Sequence, residues 1–203
     1  MATPDRLPTV LAATGLEAWA LRRRLRGVPV RRTGIALRGW GVTPGAGAAI
    51  LAGLAGGLEG GVEPGTVAIP SVVGLPDGER LECDPIWTAK LREAAARLGY
   101  RTVSGPLLTA PQLVTGPARA YWGQRGFVAA DMEAGLLLSA GWRVATVRVI
   151  LDTPAHPIDG SWEQPVRAFL TPRLWMELLW LTERAPRYAF LAARIVQRAL
   201  EEA

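Results

Sequence analysis

RVATVRVILDTP, residues 143–154, is a run of β-branched and small apolar residues that ends on an acid and then on a turn. Arg143 to Leu151 reads as a long strand, because branched side chains pack well on a pleated surface. Asp152 stands just past its carboxyl end, and Leu-Asp-Thr-Pro initiates a turn. Short apolar runs of this kind recur upstream and alternate with amphipathic segments, which is the rhythm of an α/β sheet. Thr9 to Thr14 (TVLAAT) is a buried strand followed by a helix from about Leu16 to Leu25. Further strands are expected at Thr33 to Trp40, Ala48 to Ala55, Gly65 to Val73, Thr102 to Leu108 and Phe127 to Ala130.

The helix signals lie between these runs. Asp84-Pro85 starts a helix reaching about Leu98, with Asp as cap, Pro at the first helical position and Gly99 as stop. Gly116 to Gln124 and Met132 to Ala140 read as short helices, and Pro76-Asp77-Gly78 as a hairpin tip. From about Trp162 to Ala203 the pattern is helical, with a break near Ala185-Pro186. The chain is therefore expected to form one domain over residues 1–203. Its fold class is α/β, three layers α/β/α around a central mixed, mostly parallel sheet, with a helical C-terminal flank at about 162–203.

With 203 residues, 49% of them apolar and 20% charged, the chain has enough apolar surface for one good core and is neither disordered nor a collagen-like repeat. Cys83 is the single cysteine, so no internal disulfide forms and a reducing, cytoplasmic setting is expected. The first residues lack the series of a secretory signal, and no apolar run reaches the length of a spanning helix. The net charge of +5 is carried almost wholly by arginine, Lys90 being the only lysine. Arg22, Arg23, Arg24, Arg26, Arg31 and Arg32 form a cluster suited to phosphate or an anionic membrane, or simply a solvated helix end. No nucleic-acid motif accompanies it, so nucleic acid is not an expected partner. The apolar segment Leu174 to Leu181, followed by arginines, suits core packing, an oligomer interface or peripheral membrane contact. One His and one Cys leave no soft-ligand cluster, so no metal and no cofactor is expected. His156 is a loop histidine in Thr-Pro-Ala-His-Pro.

In an open parallel sheet, ligands bind beyond the carboxyl ends of the strands. Three sets of acids fall there: Glu17, Asp131 with Glu133, and Asp152. Singly, each has a structural role to fill. Asp131 sits between strand and helix as an N-cap and is given no catalytic part. Glu17 and Glu133 complement the dipole of a first helical turn. Their common placement points to a site. The glycine-rich stretch Gly53-Leu54-Ala55-Gly56-Gly57-Leu58 lets a ligand approach backbone. It is neither a dinucleotide fingerprint nor a phosphate loop, since the second acid and the Lys-Ser/Thr pair are missing.

Gly-Leu-Ala-Gly-Gly-Leu at 53–58, Pro-Gly-Thr-Val-Ala-Ile-Pro at 64–70, Val-Ala-Ala-Asp-Met-Glu-Ala at 128–134 and Val-Arg-Val-Ile-Leu-Asp-Thr-Pro-Ala at 147–155 resemble, in this order, motifs of the nucleoside phosphorylase and nucleosidase superfamily. Within it the chain is most similar to the hopanoid-associated phosphorylases. The resemblance implies cleavage of the N-glycosidic bond of a purine nucleoside or nucleoside-derived lipid. Asp152 would protonate or hydrogen-bond the leaving base, Glu133 would grip the ribose hydroxyls, and Met132 would pack against the sugar. Glu17 resembles the acid that orients water in hydrolytic members, and Gly53, Ala55 and Gly56 would border the substrate. The residue types suit the chemistry, because the reaction builds positive charge on the sugar and negative charge on the base. The implied partners are a nucleoside or adenosyl lipid, with phosphate as a possible co-substrate, and a second copy of the chain.

Two departures stand out. Eleven residues separate Gly41 from Gly53, too few for the helical crossover that the family carries there. Leu54 stands where phosphorolytic relatives often place a serine, so hydrolysis is favoured over phosphorolysis. The alternative is a catalytically degenerate member that binds a ligand or partner without turning it over.

Overall fold

The computed structural model describes residues 7–41, 47–58, 60, 62–156 and 175–202, with residues 175–179 as backbone only. Two ten-residue strands form the spine, β3 (Ala48–Gly57) and β10 (Arg143–Asp152). They run parallel in register from Arg143 opposite Ala48 to Ile150 opposite Ala55. The other edge of β3 is shared. Its first half pairs with β1 (Thr9–Ala12), which pairs in turn with β2 (Val30–Arg32), both parallel. Its last residues, Gly56 and Gly57, pair antiparallel with β9 (Ala129–Asp131).

The sheet continues outward from β9 through β8 (Leu107–Thr109) and β5 (Val72–Gly74) to β6 (Arg80–Glu82). On the far side of β10 lie β4 (Val67–Ala68) and β7 (Thr102–Val103). Most pairings are parallel, and the antiparallel ones are β3–β9, β4–β10 and β5–β6. The mixed α/β sheet expected from the sequence is present.

Five helices complete the described fold: α1 (Gly15–Arg24), α2 (Pro85–Arg97), α3 (Pro117–Gly123), α4 (Ala134–Ser139) and α5 (Trp175–Glu201). Alternation along the strands sends Val10, Ala12, Ile50, Ala52, Ala145 and Val147 to one face, where α1, α2 and α5 cover them. The packed side of α5 is built from Ala189, Ala192, Ala193, Val196 and Ala199, small enough for the helix to lie close to the sheet. The opposite face, with Leu11, Ala49, Leu51, Val144 and Ile150, packs against Ala134 and Leu137 of α4.

The chain crosses β1 between β2 and β3 without an α-helix among its described residues. A single 3-10 turn, Ile35–Leu37, stands there instead, with Leu37 buried and Trp40 edge-on to Trp142 at 5.6 Å. This turn replaces the strand expected over Thr33 to Trp40. Gly34, Ala36 and Leu37 all take positive φ (78°, 51° and 59°), which no strand allows.

Three other expectations are corrected. Gly65 to Val73 divides at Ile69-Pro70-Ser71 into β4 and β5, which lie on opposite sides of the spine. Thr102 to Leu108 divides likewise into β7 and β8 around Gly105, whose φ is 152°. The helix is continuous through Pro186, because flanking turns hold it in place as α5 packs on the sheet. Residues 162–174 of the expected C-terminal helices lie outside the described residues. The hairpin tip is as expected, joining β5 and β6 through Leu75, whose amide bonds the Glu79 carbonyl. Asp84 caps α2 by accepting from the Trp87 amide at 2.9 Å.

Candidate active site

The carboxyl ends of β1, β3, β9 and β10 and the first turn of α1 open on one cavity of about 460 Å³. Glu17, Glu133 and Asp152 all line it, together with Asp131, Met132 and Arg148. Every one of the four acids is buried. Its volume falls within the range of small-molecule pockets.

Glu17 sits at the third position of α1. Its Oε2 accepts from the Thr14 amide (2.7 Å) and hydroxyl (2.8 Å), while the Glu17 amide donates back to the Thr14 hydroxyl (3.3 Å). This reciprocal cap satisfies helix donors that would otherwise be orphaned. Its Oε1 has a second task, because β1 pairs only as far as Leu51 and β9 begins only at Gly56. Oε1 fills the gap and accepts the Leu54 amide at 2.8 Å. Gly53 makes the room. A Cβ there would lie 2.2 Å from Glu17 Oε1 and 3.0 Å from Arg148 Nη1, so only glycine fits. Gly53 thus stands behind these side chains and does not line the cavity, whereas Ala55 and Gly56 do.

Arg148 occupies the middle of β10 and is fully buried. It pairs with Asp131 and, at 3.1 Å, with Glu133. Asp131 also accepts from the Thr109 hydroxyl (2.6 Å) and the Ala134 amide (3.1 Å). Glu133 stands at the capping position of α4 without a side-chain cap bond, so Asp131 supplies the amide acceptor expected of a cap, through Ala134, and is in addition the counter-ion of Arg148. Glu133 Oε1 accepts the Ala36 amide at 3.0 Å, tying the 3-10 turn to the site. Burial pushes the Glu133 carboxyl up to about 7 from its ordinary 4.5, with the Arg148 charge opposing and the Asp131 charge adding.

At the end of β10 the register shifts, so that Leu151 is extra and Asp152 stands opposite Gly56. A bulge of this kind re-aims the residue beyond it. Asp152 forms a buried ion pair with Arg119 of α3. The walls are otherwise apolar, from Leu16, Ile35, Leu54, Leu113, Leu151 and Leu181. His156 closes a two-residue bridge with Thr153 and does not line the cavity. Cys83 lies elsewhere, in the apolar core, where burial pushes its thiol up to about 12 and leaves it unreactive.

Three contributors escaped the sequence reading. Arg148 had a signal: an arginine inside an apolar strand, in step with inward Val144, Thr146 and Ile150, has to meet buried acids. Arg119 and the Ala36 amide had none, since each arrives from a segment without a motif.

In fold, the chain is similar to solved nucleosidase structures. The 5′-methylthioadenosine/S-adenosylhomocysteine nucleosidase of Neisseria meningitidis, in complex with methylthio-immucillin-A, is 16% identical at a TM-score of 0.71, over 96% of this chain and 98% of that one. The futalosine hydrolase of Helicobacter pylori gives 14% and 0.69, over 96% and 97%. The nucleosidase of Colwellia psychrerythraea, in complex with adenine, gives 15% and 0.70, over 96% and 94%. No curated protein sequence matches. A family model described as phosphorylase superfamily matches residues 17–172, from the acid at the head of α1 past the acid at the end of β10, and the chain belongs to that superfamily.

Proposed function

We propose that the cavity cleaves the N-glycosidic bond of a purine nucleoside or nucleoside-derived lipid, by hydrolysis. The observation that carries this reading is the convergence of Glu17, Glu133 and Asp152 on one cavity, from three separate segments of the chain. Glu133 holds the ribose hydroxyls, Met132 packs on the sugar, Glu17 orients the attacking water and Asp152 hydrogen-bonds the leaving base. Water adds to C1′ as the bond to the base nitrogen breaks, the bonding pair goes to the base, and the base leaves with a proton. Anionic groups below the sugar stabilise the positive charge that develops there.

Hydrolysis is favoured by the charges. Arg148 is the only cation among the described lining residues, and its Nη2 pairs with both Asp131 and Glu133, while its Nη1 and Nε have no hydrogen-bond partner among the described residues. A phosphate dianion entering beside four carboxylates would meet net repulsion. Leu54 supplies no hydroxyl to hold it. The apolar wall suits an alkyl or lipid substituent on the sugar, and the Arg22 to Arg32 cluster, exposed throughout, suits an anionic surface from which a lipid is drawn. The neighbours named as nucleosidases and as a hydrolase support the same reaction class.

Purified protein incubated with adenosine-type nucleosides or an adenosyl lipid should release free base equally well with and without phosphate. Asp152→Asn should remove this activity while leaving the far-ultraviolet spectrum unchanged. Absence of base release under every condition overturns the reaction and favours the non-catalytic binding alternative.

A further inference from the structure

Residues 15–41 carry seven arginines and a single acid, Glu17, which is buried in the cavity wall. The rest of the chain holds 16 basic and 17 acidic residues, so the excess positive charge of the protein belongs to this one segment. All seven arginines are exposed, and none pairs with an acid among the described residues. The helix accounts for three of them, because Arg22, Arg23 and Arg24 complement the negative pole of α1. Arg26, Arg31 and Arg38 lie outside it. Arg32 stands at the opposite pole, since a Cβ on Gly15 in the first turn would lie 3.7 Å from its Nη1. Like charges gathered in this way repel one another, and an anionic partner relieves that repulsion.

An apolar element runs through this charge. Leu16, Trp19 and Arg23 follow one another along one side of α1, three and four residues apart. Leu16 lines the cavity, Trp19 is 45% exposed, and the Arg23 guanidinium stands 5.9 Å from the Trp19 ring. Trp19 also packs edge-on against Phe190 of α5 at 4.9 Å, and α5 reaches the cavity through Leu181 and Ala185. Ile35, 44% exposed at the rim of the same cavity, lies in the chain between Arg32 and Arg38. One exposed apolar side chain needs no explanation. A tryptophan and an isoleucine set among seven cations, and joined to an apolar cavity wall, have the make-up of a surface that meets phospholipid: the aromatic ring at headgroup level, the cations over the phosphates. A soluble polyanion would use the cations and leave Trp19 and Ile35 in water.

We propose that the outer side of α1, with β2 and the 3-10 turn beside it, docks the protein on an anionic phospholipid surface, Trp19 entering the headgroup layer and the cavity rim at Leu16 and Ile35 facing the membrane. The inference rests on the proposed cleavage of a nucleoside-derived lipid and names the surface from which that substrate is taken. Docking on this side lets the alkyl part of the substrate pass from the bilayer to the apolar cavity wall without crossing water.

The test uses vesicles of phosphatidylcholine with and without phosphatidylserine. Two double variants, Arg23→Gln/Arg26→Gln and Arg101→Gln/Arg143→Gln, remove the same charge, the first from the patch and the second from exposed sites elsewhere. The patch variant should bind phosphatidylserine vesicles about 20-fold less tightly, each arginine near such a surface being worth about fivefold, and the other variant should stay within about threefold of wild type. Brominated lipid in the vesicles should quench part of the wild-type tryptophan fluorescence, and Trp19→Phe, which keeps an aromatic ring against Phe190, should lose that part. With 5′-hexadecylthioadenosine carried in the vesicles, the patch variant should release adenine about 10-fold more slowly at limiting vesicle concentration, while its rate on soluble adenosine stays within about twofold. Equal losses in the two double variants, quenching unchanged in Trp19→Phe, an unaltered rate on the vesicle-borne substrate, or a wild type that does not bind phosphatidylserine vesicles overturns the inference. Retention on heparin without vesicle binding overturns it in favour of a soluble polyanion. If the vesicle results are as expected and adenine is released from neither substrate, the proposed cleavage fails and the docking surface stands.

Discussion

Glu133 carries the clearest conflict between folding and chemistry. It is buried against Asp131, and only Arg148 and the Ala36 amide favour its charge. A carboxyl at about 7 in the folded chain and 4.5 when unfolded binds its proton more tightly in the native state. Both states are protonated at low pH and both ionised at high pH, so the cost of folding enters between those two values as pH rises. The wild type should therefore lose about 3 kcal/mol relative to Glu133→Gln across that window, an order-of-magnitude figure from linkage. Urea unfolding of both proteins at pH 4.5, 6 and 8 checks it; parallel curves would show that Glu133 titrates normally. On the proposed reading, a ribose whose hydroxyls donate to Glu133 would favour its ionised form and offset part of this cost. The position of Glu133 was readable from Asp-Met-Glu. Its shifted titration was not, because that depends on Arg148 and on a turn far away in the chain.

Among the elements, the 3-10 turn at Ile35–Leu37 and the end of β10 bear most directly on the site. The turn holds two non-glycine residues in the left-handed region, where Cβ crowds the following carbonyl. It is kept there by the buried Leu37 side chain and by one hydrogen bond from Ala36 to Glu133. Ala36→Gly should stabilise the protein by about 1 kcal/mol, since glycine takes that φ without strain. Ala36→Pro should destabilise it by about 3 kcal/mol or more, because the ring forbids the angle and removes the donor. Urea midpoints of the two variants decide, and a Pro variant as stable as wild type would mean that the turn has another resting shape. Local chemistry made much of this scale legible. Asp84-Pro85 and Gly99 framed α2, and the β-branched run from Arg143 framed β10. Strands β4, β5, β7 and β8 were merged into longer ones because an apolar run does not reveal which side of the spine each half joins. Pro186 suggested a break, but packing of α5 against the sheet outweighs the lost hydrogen bond.

For the molecule as a whole, the short crossover leaves one sheet face covered by α4, Leu37 and the Trp40–Trp142 pair, while three helices cover the other. The spacing of Gly41 and Gly53 predicts a crossover too short for a helix, none is present there among the described residues, and the tryptophan pair packs on that face. Charge is distributed just as unevenly. The exposed arginines from Arg22 to Arg32 make no ion pair with an acid among the described residues, and no described helix is long and apolar enough to cross a membrane. If the proposed lipid substrate is drawn from an anionic surface, the protein should co-sediment with vesicles containing phosphatidylserine and be released as salt shortens the Debye length from about 10 Å at 0.1 M to about 3 Å at 1 M. Equal recovery in the supernatant with and without anionic lipid would remove the membrane from the account.

The bulge at Leu151 separates the demands of the sheet from those of the reaction. A regular ladder would place Asp152 opposite Gly57, and the sheet would pair at least as well without the extra residue. The one-residue offset instead brings Asp152 level with Gly56, whose missing side chain leaves the carboxylate its room.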